Sequence, residues 1–173
     1  MNKLTVLQLT GFAVTVIGGV FLHYLYDLTG KSKAAALFSG VNESTWEHIK
    51  LLYFPVFFYS LVQSRLMEES VNFWCIRLVG LLTGLILIPV LFYTINGVFG
   101  KTPDFINIAI FFVSVAAVFI SEKYLWNINA FPFCNGVAAF TVICVIGILF
   151  FVFTFKPPKI PLFRDPITGK YGL

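Results

Sequence analysis

The chain has 173 residues, 58% of them apolar and only 12% charged, with 21 Phe and a net charge of +4, against roughly 45–50% apolar and 25% charged in ordinary soluble domains. A soluble domain of this length has too little interior to hide that much apolar surface, so lipid must solvate it. The positive residues sit near the ends of apolar segments and in the tail, with no basic run carrying interleaved stacking aromatics, which reads as membrane topology and not as a nucleic-acid surface.

About 20 residues cross roughly 30 Å of hydrocarbon as a helix. Five apolar segments qualify: 4–26, 46–66, 73–95, 105–121 and 133–155. Each must be helical, because lipid offers no partner to an unpaired backbone group. The expected fold class is therefore all-α: a polytopic transmembrane helix bundle of about five spans over residues 1–155, followed by an ordered Pro-rich cytoplasmic tail over residues 156–173.

The first segment exceeds the 7–15 apolar residues of a signal-peptide core and is followed by no A-x-A-like site, so it is expected to be a retained anchor. Near its end, His23 and Asp27 lie four apart and share a helical face. An Asp that orients a His is a common arrangement around metals.

The second segment opens on a polar knot, Asn42-Glu43-Ser44-Thr45-Trp46-Glu47-His48. Two starts for this helix are open. In one, Ser44 and Glu47 form a capping box; in the other, Asn42 caps, and Val41 and Trp46 form a hydrophobic staple. His48 lies near the positive end of the helix dipole and should tend to stay neutral, the form that accepts protons and binds metals. With odd spans, His23, Asp27, Glu43, Glu47 and His48 all reach one membrane surface. Two His and one or more carboxylates can complete a site for zinc, manganese or iron. Without metal, His23 or His48 can act as general base and Glu43 or Glu47 as acid. The catalytic candidates are thus His23, His48, Glu43 and Glu47, and the metal candidates are these four and Asp27. The cofactor is unknown; a divalent metal such as zinc is one candidate. Glu47 and His48 project about 100° apart, so one pocket holds both only if it wraps the helix end.

Pro55 and Pro89 sit inside the second and third segments and should kink them. Gly80-x-x-x-Gly84 permits close helix approach, more readily within the chain than between copies, although a homo-oligomer stays open. Cys75, Cys134 and Cys144 show no ligand spacing and read as unpaired thiols packed as small hydrophobes. No ionisable residue is expected near the midpoint of any span, which disfavours proton-coupled transport. In the tail, Asp165-Pro166-Ile167-Thr168-Gly169 reads as a tight turn. Leu162, Phe163, Ile167 and Tyr171 can anchor the tail to the membrane face, and Arg164 can then meet Glu43 or Asp27.

An odd number of spans separates the termini. One side holds Lys31, Lys33, Lys50, Lys101, Lys156, Lys159, Arg164 and Lys170, and the other Lys3, Arg65, Arg77 and Lys123. The excess of basic residues places the C-terminus in the cytoplasm and the N-terminus outside.

The stretch Val41-Asn-Glu-Ser-Thr-Trp-Glu-His48, together with Pro161-Leu-Phe-Arg-Asp-Pro-Ile-Thr-Gly-Lys-Tyr-Gly172, resembles an uncharacterised family of small bacterial multispan membrane proteins. The resemblance implies a bacterial inner membrane and transfers no activity. From the residues, three functions compete: an interfacial hydrolase or transferase acting on a lipid or other amphiphile, a non-catalytic binding or assembly subunit, and a small-solute transporter or channel.

Overall fold

The structure is a computed structural model that describes residues 2–67, 72–100 and 102–173; Lys101, counted above for topology, lies outside them. The described elements are helices: α1 (Lys3–Leu28), α2 (Lys33–Phe38), α3 (Thr45–Leu66), α4 (Phe73–Phe99), α5 (Asp104–Asn127), α6 (Gly136–Phe155) and a 3-10 turn, Pro161–Phe163. The five long helices alternate in direction. The starts of α1, α4 and α6 share one end of the bundle with the ends of α3 and α5, and the tail leaves from the other.

α1, α4, α5 and α6 are each long and apolar enough to cross a membrane. The fifth expected span, α3, differs in kind. It packs against α1, α4, α5 and α6, and thirteen of its 22 residues are buried. A helix with one face covered by other helices can be polar on that face, so α3 carries Glu47, Lys50, Ser60 and Gln63 in its buried set and Phe58 and Val62 on its exposed side. Around it lies the core of Leu52, Val56, Leu81, Val115, Val118 and Ile143. Two tyrosines tie α3 outward: the Tyr53 hydroxyl donates to the Ile143 carbonyl at 2.6 Å, and the Tyr59 hydroxyl to the Leu7 carbonyl at 2.6 Å.

Pro55 and Pro89 lie inside α3 and α4, which run on through them. The Gly80-x-x-x-Gly84 face of α4 meets α5 within the chain. A Cβ on Gly84 would come within 2.5 Å of Val118 Cγ2 of α5, so the glycine is what lets the two helices pack this closely. Asn135 caps α6, its side-chain oxygen accepting from the Val137 and Ala138 amides at 3.1 Å each. α5 continues six residues beyond the expected span and takes in Glu122 and Lys123.

The cysteine expectation is corrected. Cys75, in the first turn of α4, forms a disulfide with Cys134, just before α6, with Cα atoms 6.4 Å apart. The partners are 59 residues apart in sequence, and what brings them together is the packing of α4 on α6, which no sequence spacing encodes. Cys144 stays unpaired. With a thiol-reactive label in denaturing detergent, one thiol per chain should react before reduction and all three after it; three labels without reductant would refute the pairing.

Candidate functional site

Of the two possible starts for α3, the structure takes Ser44 as cap. Its hydroxyl accepts from the Glu47 amide at 3.4 Å, and its own amide donates to the Asn42 side-chain oxygen at 2.9 Å. The capping box is half made. The Glu47 carboxylate accepts from the Val41 amide at 3.2 Å instead of returning to Ser44. Because adjacent helical residues diverge by about 100°, Glu47 turns into the bundle while His48 faces its edge.

The outward set is His23, Glu43 and His48. Glu43 reaches between the two imidazoles: His48 Nε2 lies 3.4 Å from its Oε2 and His23 Nε2 lies 4.0 Å from its Oε1. The ring centroids are 5.7 Å apart. All three side chains are about a third to a half exposed (His23 33%, His48 31%, Glu43 44%). His48 Nδ1 lies 3.0 Å from the Ser44 carbonyl oxygen. A carbonyl only accepts, so this nitrogen carries the hydrogen. In the neutral ring Nε2 would then present a lone pair to a carboxylate oxygen. His23, Asp27 and Glu43 line a cavity of about 240 Å³, beside Tyr24, Tyr26 and Asn42.

The five residues proposed as metal ligands therefore do not form one set. Glu47 points away, and Asp27 lines the cavity without an ion pair to His23. Among the described residues, no group of three or more His, Cys, Asp or Glu is arranged to hold a metal ion.

The inward set is a clasp. Lys50 Nζ lies 2.5 Å from Glu47 Oε2, with side-chain exposures of 0% and 2%. It also donates to the Ala36 carbonyl at 2.9 Å and the Thr154 hydroxyl at 3.0 Å. One ammonium thus joins α2, α3 and α6, and all three of its hydrogens have partners. Glu47 serves this clasp and does not reach the cavity.

The tail docks without covering the cavity. Phe163 is buried and packs on Trp46, with ring centroids 4.7 Å apart, and on Phe153 at 5.4 Å. The Asn42 amide donates to the Gly172 carbonyl at 3.2 Å, and the Leu173 amide to the Thr154 carbonyl at 3.0 Å. The expected turn is present: Asp165 Oδ1 accepts from the Ile167 amide at 3.0 Å, and Gly169 closes it at φ 72°. Ile167, expected as an anchor, is 74% exposed. Arg164 bridges to Tyr171 across the turn and pairs with neither Glu43 nor Asp27, because the tail runs toward Thr154 and Asn42 instead.

A second polar group was missed from the sequence. Near the other end of the bundle, Arg77 Nη1 of α4 lies 2.9 Å from Glu122 Oε1 of α5, and both side chains are at most 2% exposed. Arg77 Nη2 donates to Gln63 Oε1 of α3. Gln8 of α1, 4% exposed, completes the group. The expected end of the fourth span fell one residue short of Glu122. Two opposite charges at the rims of neighbouring apolar segments were the available signal.

Removing one partner of a buried pair leaves the other uncompensated, at about 3–5 kcal/mol, while apolar replacement of both is often near neutral. Lys50→Met or Glu47→Leu alone should lower unfolding stability in detergent by that amount. The double variant should recover most of it; additive losses in the double variant would contradict the clasp.

Comparison with curated proteins and with solved structures finds no match. A family model described as a family of unknown function (DUF6512) matches residues 1–173. The chain, with its apolar helices, half-open His23–Glu43–His48 site and buried clasp, belongs to that family.

Proposed function

We propose that the protein is a multi-pass enzyme of the bacterial inner membrane that hydrolyses, or transfers a group from, a lipid or other amphiphile at the cytoplasmic interface by general acid–base catalysis. The observation that carries this reading is the line His23–Glu43–His48, opening at His23 into a cavity at the end of the bundle. It follows the logic of a base oriented by a carboxylate. His23 takes a proton from an attacking water or hydroxyl as its oxygen bonds the reacting centre. Glu43 stabilises the imidazolium so formed, and His48, fixed through Nδ1, secures Glu43. His23 then returns the proton to the leaving group as the scissile bond breaks. A cavity of about 240 Å³ is smaller than the roughly 300–1,000 Å³ of drug-sized ligand sites. It suits a head group whose chains stay in the bilayer.

Two independent features support the orientation. Disulfides persist in oxidising compartments, and Cys75–Cys134 lies at the end opposite the site. The excess of Lys and Arg lies on the site's own face, as expected for the cytoplasmic side. A reporter enzyme fused to the C-terminus should be active only in its cytoplasm-competent form; activity only outside would reverse this orientation.

The chemistry is tested with purified protein in phosphatidylglycerol–phosphatidylethanolamine vesicles, with products read by lipid mass spectrometry. The parent should release head group or acyl product, with no loss on chelation. Positioned proton transfer contributes about 10²–10⁴-fold, so His23→Gln and Glu43→Gln should each lower the rate by about 10²-fold or more, while Glu47→Gln should act through stability alone. Equal rates in the parent and His23→Gln would sink the proposal.

A further inference from the structure

The Arg77–Glu122 group has features that a static ion pair does not need. Ionisable side chains inside a membrane bundle are costly and mark functional sites, with proton relays among the commonest. Here four helices each contribute one polar side chain: Gln8 from α1, Gln63 from α3, Arg77 from α4 and Glu122 from α5. All are at most 4% exposed.

Consider what each protonation state of Glu122 would find around it. Ionised, the carboxylate pairs with Arg77. Neutral, it would leave a buried guanidinium without its counter-charge, yet Arg77 has other partners. Its Nη2 donates to Gln63 Oε1, and its Cζ lies 5.6 Å from the centroid of Phe73 and 5.5 Å from that of Phe119. Cations held over aromatic faces gain electrostatic stabilisation, more so when desolvated. Gln8 lies beside Glu122 and offers its side-chain NH2 to the carboxylate. An amide NH2 can donate to an ionised carboxylate but has nothing to accept from it, so Gln8 sides with the ionised form. Space for the carboxyl group is also built in: a Cβ on Gly80 would lie 2.6 Å from Glu122 Oε1.

We propose that Glu122, with Arg77 and Gln8, forms a proton-binding site inside the bundle, filled from the membrane face at which α1 and α4 begin and separate from the His23 site. Hydronium gives its proton to a Glu122 oxygen. The O–H bond of the acid forms, water leaves, and Arg77 keeps Gln63 and the two rings. The site lies roughly 6–8 Å from the ends of α4 and α5 at 1.5 Å per residue, close enough to that face to exchange. Among the described residues, the groups around it are few. α1 offers Gln8 and no charge, α3 offers Gln63 and the Tyr59 phenol, α4 offers Arg77, and α6 contains no carboxylate, amine, guanidinium or histidine. Lys3 and Arg65 are exposed.

The test follows the C=O stretch of protonated carboxyl groups by infrared difference spectroscopy, using the full chain in phosphatidylglycerol–phosphatidylethanolamine vesicles as pH is stepped. Above the bands shared with the chain's other carboxyl groups, one further titrating band should be present in the parent and in Glu43→Gln and absent from Glu122→Gln. Gln8→Leu replaces a polar neighbour with an apolar one and favours the neutral acid. The band should then appear at a proton concentration at least tenfold lower. A parent spectrum that matches Glu122→Gln at every pH, or a midpoint unmoved in Gln8→Leu, overturns the site and leaves a structural ion pair. The Gln8→Leu arm decides the question even where Glu122→Gln fails to fold.

Discussion

The arrangement rests on keeping the polar side chains of α3 out of contact with lipid. A charged group in hydrocarbon has no water to solvate it, and a polar group without a partner costs several kcal/mol. α3 carries both kinds. It survives because α1, α4, α5 and α6 cover its polar face, leaving Phe58, Leu61, Val62 and Leu66 on the exposed one, and because its polar groups find protein partners. Lys50 meets Glu47, Ala36 and Thr154. Tyr53 and Tyr59 reach carbonyls of α6 and α1 that still have a free lone pair. Ser60 turns back on the Val56 carbonyl. The other long helices can then be largely apolar, with Gln8, Arg77 and Glu122 their buried charged or amide exceptions.

This division explains how one turn of α3 serves two purposes. Glu47 and His48 are adjacent, and the step of about 100° between them puts one on each side of the boundary between interior and interface. Glu47 accepts from the Val41 amide and binds Lys50, which fixes the rotation of α3 about its axis. His48 is thereby presented to Glu43. The buried clasp and the open site are two consequences of a single helix register.

That register marks where sequence reasoning stops. The turn at Asp165 and the meeting of His23 with His48 were legible because turn chemistry is local and because adjacent spans end at one surface, whereas the cap was legible only as a choice between Ser44 and Asn42. Rotation about a helix axis was not legible. In soluble helices an apolar stripe marks the inner face, but here every face is apolar and the rule inverts. The buried face of α1 is Leu7, Gln8, Gly11, Thr15 and Gly19, mostly small or polar residues, while Ile17 and Phe21 point outward. Without that rotation Glu47 could not be separated from Glu43, nor Cys75 paired with Cys134. Glu122 escaped for a different reason. A span boundary drawn at the first charge assumes that charge ends a span, and in α5 the ion pair with Arg77 lets the helix continue.

Glu43 is the one member of the open trio outside a helix, and its placement depends on its neighbours in the chain. Ser44 is held by the Asn42 side chain, and Asn42 is itself held by the Gly172 carbonyl from the far end of the chain. The tail leaves the cavity open, and its last turn still braces the loop that presents the carboxylate. Phe163 between Trp46 and Phe153 sets the path of the tail, and Leu173 on Thr154 brings its end back to the residue that also binds Lys50. The order of the tail and the geometry of the site are therefore mechanically linked: a chain end that packs on α6 reaches, through one asparagine, the carboxylate that sits between the two imidazoles.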